Sequence, residues 1–272
     1  MRESLFVVGL VVFGMALRSC RNAVPRKLGA FVYLAASFYA LYFATGRVWG
    51  GILGVLAWFF LPWVELLTRI RRMRLPIENR LRLRTPPDPS FFPDAEEAAV
   101  SMEEAGFEHV NDCGWEWSGM KQFFRLFWHP EERSVAAVCL CEQSDVAFSF
   151  ITVTSRDDKG RSWRTTNFPF SPTLSYPPRF QWNRVKCENR CFPRIMRDHR
   201  EFLLRAKVDR EKLVVPDPER IEEEIEREMR DHIEHNLDHG IIRLTGDGRF
   251  RYSRRGLLFL WKQYLKDMIR LC

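Results

Sequence analysis

Long apolar runs alternate with short basic loops through the first third of the chain. Residues 28–45 carry no charged side chain, and residues 48–67 carry only Glu65. A bilayer core about 30 Å thick needs about 20 helical residues, so both runs are long enough to cross a membrane. A buried helix of a soluble protein is the alternative. Two such runs separated only by Gly46 and Arg47 favour membrane spans.

A shorter apolar run at residues 5–17 precedes these two. As a helix it covers about 20 Å, which fits either the core of a signal peptide or a short span with snorkelling flanks. Signal peptides carry basic residues before the apolar core. Here Glu3 offsets Arg2, and most of the basic residues follow the run. We therefore predict an uncleaved first span, with a cleaved signal peptide as the alternative.

The basic loops predict the orientation of these spans. The loop at 18–27 holds four basic residues and no acid, whereas the turn near Gly46 holds only Arg47. Since basic loops stay in the cytoplasm, we predict three spans within residues 1–68, an outside N-terminus and a cytoplasmic C-terminal part, in a bacterial inner membrane or its equivalent. Seven arginines after the third run serve first as an orientation signal and second as contacts for anionic lipid headgroups. They are Arg69, Arg71, Arg72, Arg74, Arg80, Arg82 and Arg84.

Charge is unevenly divided along the chain. The net charge is +7 and the isoelectric point is about 9.2. Residues 1–84 hold 13 of the 42 basic residues and 3 of the 35 acids, which leaves 29 basic residues against 32 acids in the remainder. The basic excess therefore belongs to the membrane-proximal part, and binding to nucleic acid is not expected.

An α+β domain is predicted after the membrane region. Residues 69–93 form a basic juxtamembrane segment that ends in a proline-rich linker. A helix begins at Asp94 as its N-cap and ends near Ala105. Runs rich in aromatic and β-branched residues follow, joined by short turns, and these predict an antiparallel meander sheet. A helix over 192–206 completes a domain at 94–207 in which helices flank the sheet.

Residues 208–272 predict a separate C-terminal module. A charged helix at 219–239 precedes a β-hairpin around Gly246 and Gly248, and an amphipathic helix closes the chain. This order resembles part of a winged helix over about 50 residues. The helix before the hairpin holds nine acids against three basic residues, which opposes contact with phosphates. We therefore expect the module to bind a protein partner rather than DNA.

Histidines on the charged helix are the candidate metal ligands. His232, His235 and His239 follow an i, i+3, i+7 spacing along one helical face. The outer two are about 10.5 Å apart along a straight helix, too far for one zinc ion to bind all three. The pair His235 and His239 is able to bind zinc if other ligands come from elsewhere. A solvated helix face is the simpler interpretation.

The seven cysteines follow no zinc-finger spacing. Cys139 and Cys141 share one face of a predicted strand, and Cys187 and Cys191 are spaced by one helical turn. A cytoplasmic location predicts reduced thiols that serve as small core residues.

The function prediction rests mainly on location. Trp115 and Trp117 share one face of a strand, where they line an apolar ligand pocket or, more simply, form the core of the sheet. No phosphate-binding loop, nucleophile elbow or paired-carboxylate motif occurs, so no catalytic residue or cofactor is assigned. We predict a membrane-anchored cytoplasmic interaction or sensing module with an unidentified protein partner. The alternatives are a metal-dependent hydrolase that uses His235 and His239, and a membrane-tethered DNA-binding regulator.

Overall fold

The contacts of the chain divide it into two compact units. A computed structural model describes residues 2–20, 22–117, 119–143, 146–187 and 191–271. The first unit comprises Met1–Arg74, Ser171–Thr173 and Arg251–Cys272, and the second comprises Leu75–Phe170 and Leu174–Phe250. These units cut through the segment 208–272 that the sequence predicts as one module. Arg21, one of the basic residues of the predicted loop, lies outside the described residues.

Four helices make up most of the first unit: α1 at Arg2–Arg18, α2 at Ala23–Thr45, α3 at Val48–Thr68 and α7 at Arg254–Leu271. Two segments, Val24–Thr45 and Val48–Arg72, are long and apolar enough to cross a membrane. Helix α1 has 17 residues and spans about 26 Å, so a third span stays a prediction.

Glycines allow α2 and α3 to pack closely. A Cβ atom added at Gly50 would lie 2.9 Å from the carbonyl oxygen of Leu41, and one added at Gly54 would lie 2.5 Å from that of Ser37. The Trp58 indole also donates a hydrogen bond of 2.8 Å to the hydroxyl of Ser37. Small residues that bring two backbones together are typical of helix pairs in membranes.

A six-stranded sheet forms the centre of the second unit. Its strands are β2 (Glu108–Trp117), β3 (Met120–His129), β4 (Ser134–Gln143), β5 (Val146–Arg156), β6 (Ser162–Thr166) and β7 (Phe180–Arg184), in that spatial order. Strands β2 to β6 form the predicted antiparallel meander. Strand β7 pairs parallel to β6, so the sheet is mixed rather than purely antiparallel. A proline-rich crossing separates β6 from β7, and a parallel pair needs such a connection.

Helices cover both faces of this sheet. On one face, called the closed face, α4 (Ala95–Glu104) and α5 (Phe192–Arg205) pack against buried residues such as Phe123, Ile151 and Ile195. On the other, called the α6 face, α6 (Ile221–Asp238) packs through Ile221 and Ile225 against a cluster that contains many half-buried side chains. The α+β architecture is therefore confirmed.

A second, three-stranded sheet has the order β1, β9, β8. Strands β8 (Ile242–Thr245) and β9 (Arg249–Tyr252) are the predicted hairpin, and β1 (Leu75–Pro76) comes from the juxtamembrane segment, with Leu75 opposite Phe250. The contacts do not support the resemblance to a winged helix. Helix α6, which would enter a DNA groove, instead places its apolar side chains on the six-stranded sheet.

Candidate functional site

Two arginines of the sheet meet the acidic side chains of α6. Arg156 ends β5 and bonds to Glu224 at 2.7 Å and to Glu228 at 2.9 Å, while Arg164 of β6 bonds to Glu228 at 2.6 Å. These strand positions face α6, and the two glutamates are one helical turn apart. From the sequence alone, the acids of this helix were used only to argue against contact with DNA, whereas Glu224 and Glu228 neutralise arginines of the sheet.

Glu228 stays ionised at neutral pH despite its burial. Burial alone raises the pKa of this carboxyl, but the guanidinium groups of Arg164 and Arg156 outweigh that effect and bring the pKa to about 2. Two arginines and two glutamates therefore form a compensated group with no net charge.

His232 lies one turn beyond Glu228. Its ring packs against Phe180 at 4.9 Å and Tyr176 at 5.2 Å between ring centroids. Burial lowers the pKa of His232 to about 4, although Glu228 acts in the opposite direction. The imidazole is thus neutral at physiological pH. Its Nε2 atom is buried and has no hydrogen-bond partner within the described ranges.

Two cavities lie on either side of this charged group and share Arg156, Glu228 and His232. The outer cavity has a volume of about 470 Å³ and a polar lining from residues 156–160, 177–180 and α6. The inner cavity has a volume of about 180 Å³ and lies between the sheet and α6. Its apolar lining includes Phe124, Leu126, Ala137, Phe150, Ile225 and Met229, and its polar lining includes Gln122, Thr152 and Thr154 beside Arg156, Arg164, Glu228 and His232.

Trp115 gives the inner cavity an unused hydrogen-bond donor. It lies in β2 opposite Gln122 and lines the inner cavity. Its indole N–H is buried and lacks a partner among the residues that the structure covers. The N–H of Trp163 on the closed face likewise has no partner in the described part of the chain, but Trp163 lines neither cavity. Two buried polar atoms, on Trp115 and His232, are therefore available to a molecule in the inner cavity.

The chain matches no protein-family profile, no curated protein and no solved structure. What this site binds has to be inferred from its own chemistry. Small-molecule sites usually combine apolar walls with a few placed polar groups, and the inner cavity has apolar walls together with a larger polar and charged share than is usual.

A serine–histidine pair on the closed face belongs to the core. The His199 Nε2 atom is 3.1 Å from the Ser155 hydroxyl, and its Nδ1 atom is 2.9 Å from the Thr165 hydroxyl. Burial lowers the pKa of His199 to about 4, and the side chain is 1% exposed. None of the three residues lines either cavity, so a substrate has no route to them there.

The predicted zinc ligands lie next to each other near the end of α6. The ring centroids of His235 and His239 are 4.0 Å apart, and Nδ1 of His239 is 2.7 Å from the carbonyl oxygen of His235. In the part of the chain that the structure describes, no group of three His, Cys, Asp or Glu side chains is arranged to hold a metal ion. A third ligand for the predicted site is therefore not identified.

The seven predicted arginines fall into different surroundings. Residues 69–74 belong to the first unit, whereas Arg80, Arg82 and Arg84 belong to the second. Arg84 donates two hydrogen bonds to Glu222 of α6, at 2.6 and 2.9 Å. It therefore anchors α6 to the juxtamembrane segment that supplies β1.

The cysteines differ from the expectation of uniformly reduced thiols. Cys187 and Cys191 form a disulfide at the start of α5. Cys113, Cys139 and Cys141 are free and lie on the α6 face. Burial raises the pKa of Cys113 and of Cys141 to about 12, so neither is a reactive thiolate at neutral pH.

Sequence reasoning singled out two members of this site, Trp115 and His232, the latter only as a candidate metal ligand, and missed the arginines and glutamates. Trp115 was interpreted as a pocket residue or a core residue, and the structure places it on the wall of a cavity. Arg164, Glu228 and His232 were not expected to meet, because they come from a strand and a helix far apart in the chain. The spacing of Glu224, Glu228 and His232 along one face of α6 was the available signal.

Proposed function

We propose that this protein is a membrane-anchored sensing module that binds a small neutral ligand between the six-stranded sheet and α6. The observation that carries the proposal is the inner cavity, where the Trp115 N–H and the His232 Nε2 atom are buried without partners among the described residues. Burying such groups is unfavourable unless a hydrogen bond is made, so a ligand that supplies the bond gains affinity.

The cavity favours a ring-sized, uncharged molecule with a hydrogen-bond acceptor. Its volume of about 180 Å³ is close to that of cavities of about 150 Å³ that take up benzene. The two arginines are already neutralised by Glu224 and Glu228, which leaves no net charge to attract an ion. The Trp115 N–H requires an acceptor, such as a carbonyl oxygen.

One observation supports the membrane topology in this proposal and another opposes it. We keep the three-span topology with an outside N-terminus and a cytoplasmic second unit. The basic residues before α2 and after α3 favour it. The disulfide between Cys187 and Cys191 opposes this orientation, since stable disulfides are rare in the cytoplasm. Reporters fused to the C-terminus test it: a fluorescent protein that matures only inside and a phosphatase active only after export. Activity of the phosphatase would reverse the proposed orientation.

The proposals for protein, zinc and DNA partners have less support. Helix α6 uses its acidic and apolar side chains on the sheet, which leaves less of it for a protein or DNA. The hydrolase would need a third zinc ligand. We therefore rank the small-ligand site above them.

Fluorine NMR on the full chain in lipid nanodiscs tests the ligand site. The nine tryptophans are replaced by 5-fluorotryptophan, and the resonance lost in Trp115→Phe is assigned to Trp115. Titration with acetophenone, which has a carbonyl acceptor, should shift that resonance saturably at millimolar concentrations. Isopropylbenzene has a similar size and no acceptor, and it should shift the resonance less.

Trp117 is the matched control for this experiment. It lies two residues further along β2 and does not line the inner cavity. Its resonance, assigned with Trp117→Phe, should not move with either compound. Equal shifts at Trp115 and Trp117, or no saturable shift at Trp115, would overturn the proposed site.

A further inference from the structure

Helix α7 packs against the C-terminal part of α3. The Trp261 indole donates a hydrogen bond of 2.8 Å to the carbonyl oxygen of Phe59, and its ring lies 6.1 Å from that of Trp63. Tyr264, one turn further along α7, lies close to Glu65. Burial and that carboxylate raise the pKa of its phenol.

The hairpin of α2 and α3 shows the depth of this contact relative to a membrane. Gly50 lies against Leu41 and Gly54 against Ser37, so each step forward on α3 matches one step back on α2. Continuing this register places Glu65 level with Arg26, where charged residues on both helices mark the edge of the hydrocarbon. Phe59 is six residues from Glu65, about 9 Å deeper along the helix. Amphipathic helices at a membrane surface sink about 5–10 Å, the same depth.

The charges of α7 are largely uncompensated. Arg270 pairs with Asp267, the one acid of the helix. The other four basic side chains are exposed, and within the described residues none has an acidic partner: Arg254, Arg255, Lys262 and Lys266. Exposed apolar side chains lie among them, with Leu258 at 42% and Ile269 at 71% exposure. Basic and apolar side chains mixed on the outer surface of a helix are typical of an interfacial helix.

We propose that α7 lies in the membrane interface and binds the headgroups of anionic phospholipids through Lys262 and Lys266, with Arg254 and Arg255 in support. This inference rests on the membrane anchoring proposed above. Trp261 and Trp63 sit where tryptophans collect at the boundary between headgroups and acyl chains. Each basic residue near an anionic surface adds attraction that salt weakens.

The test measures the lipids that stay with the protein. The full chain is reconstituted into vesicles of phosphatidylcholine with about one quarter phosphatidylglycerol, and discs containing it are cut out with a polymer. The lipids in the discs are then quantified by mass spectrometry. Wild type should enrich phosphatidylglycerol about twofold over the bulk vesicle, and Lys262→Gln/Lys266→Gln should lower that enrichment measurably, while the remaining arginines keep part of it.

The control removes two positive charges from the other unit. Lys186→Gln/Lys212→Gln changes exposed lysines of the second unit and should keep the full enrichment. Full enrichment in Lys262→Gln/Lys266→Gln would overturn the role of α7, while the anchoring would stand. A chain that stays in the aqueous fraction and enters no disc would overturn the anchoring itself.

Discussion

The two faces of the six-stranded sheet are built from different chemistry. The closed face is covered by α4 and α5 and is filled with fully buried apolar side chains, among them Phe123, Phe192 and Ile195. The α6 face holds a compensated group of arginines and glutamates, a neutral histidine and two cavities. The difference shows that one face provides stability through packing, and the other leaves space and unpaired polar atoms for a ligand.

Truncating a large side chain on each face should show the largest difference. Phe192→Ala removes a ring that is 0% exposed on the closed face, and it should cost about 3–5 kcal/mol of unfolding free energy. Phe124→Ala acts on a half-buried ring beside the inner cavity and should cost roughly 1–2 kcal/mol. Pulse proteolysis of the full chain in nanodiscs across a urea series measures both. Equal costs would mean that the α6 face is packed as tightly as the other.

Removing one charge from the α6 face should be the next largest effect. Glu228→Gln leaves Arg164 without its carboxylate and weakens the neutralisation of Arg156, so a loss of about 3 kcal/mol is expected. Glu234→Gln, on the exposed side of the same helix, should change stability by less than about 0.5 kcal/mol. The same urea series compares the two variants. A small loss of stability in Glu228→Gln would show that the ion pairs of Glu228 with Arg156 and Arg164 are more hydrated than the burial of Glu228 indicates.

The sequence predicts the elements and the packing of the closed face more directly than those of the α6 face. Alternating apolar residues in β3 and β5, and the amphipathic pattern of α5, predict a sheet flanked by helices because burial of apolar surface dominates there. The meander order follows from the short turns. The parallel pairing of β7 was missed, since a proline-rich crossing sets no strand direction on its own.

The α6 face depends on pairings that local patterns do not reveal. Glu228 lies among many acids on a helix that looks solvated, and only the fold brings Arg156 and Arg164 to it. Trp115 was identified as a candidate because strand alternation places it on one face. Whether it lines a cavity or fills a core depends on how closely α6 approaches, which the sequence of either element does not determine.

Acid should lower the free energy of unfolding of the chain through one histidine on each face of the sheet. The pKa values of His199 and His232 are both about 4 in the folded chain, below the ordinary value of about 6.5. The folded state therefore binds protons less readily than the unfolded chain. Stability is full above about pH 6.5 and falls as the pH drops towards 4. Glu228, with a pKa of about 2, adds a further loss as the pH drops from about 4.5 towards 2.

His232→Gln separates the two contributions. Comparing the urea midpoints at about pH 7 and about pH 5, the variant should lose part of the pH dependence of the wild type and keep the part that comes from His199. The groups that face His232 are Glu228, Arg164, Asp231 and His235, and the variant leaves them in place. An unchanged pH dependence would assign the whole effect to the closed face.

The smallest effect should come from Trp115→Phe, and Trp163→Phe on the closed face is its comparison. Trp115→Phe removes a buried N–H that has no partner among the described residues, and the ring keeps most of its apolar contacts. Its stability should therefore stay within about 0.5 kcal/mol of wild type or rise slightly. Trp163→Phe takes away a similarly unpartnered N–H on the closed face, but there the smaller ring leaves a void in a tight core, and about 1–2 kcal/mol should be lost. If Trp115→Phe costs as much as Trp163→Phe, the Trp115 ring is part of a packed core, and the inner cavity is not a site held open for a ligand.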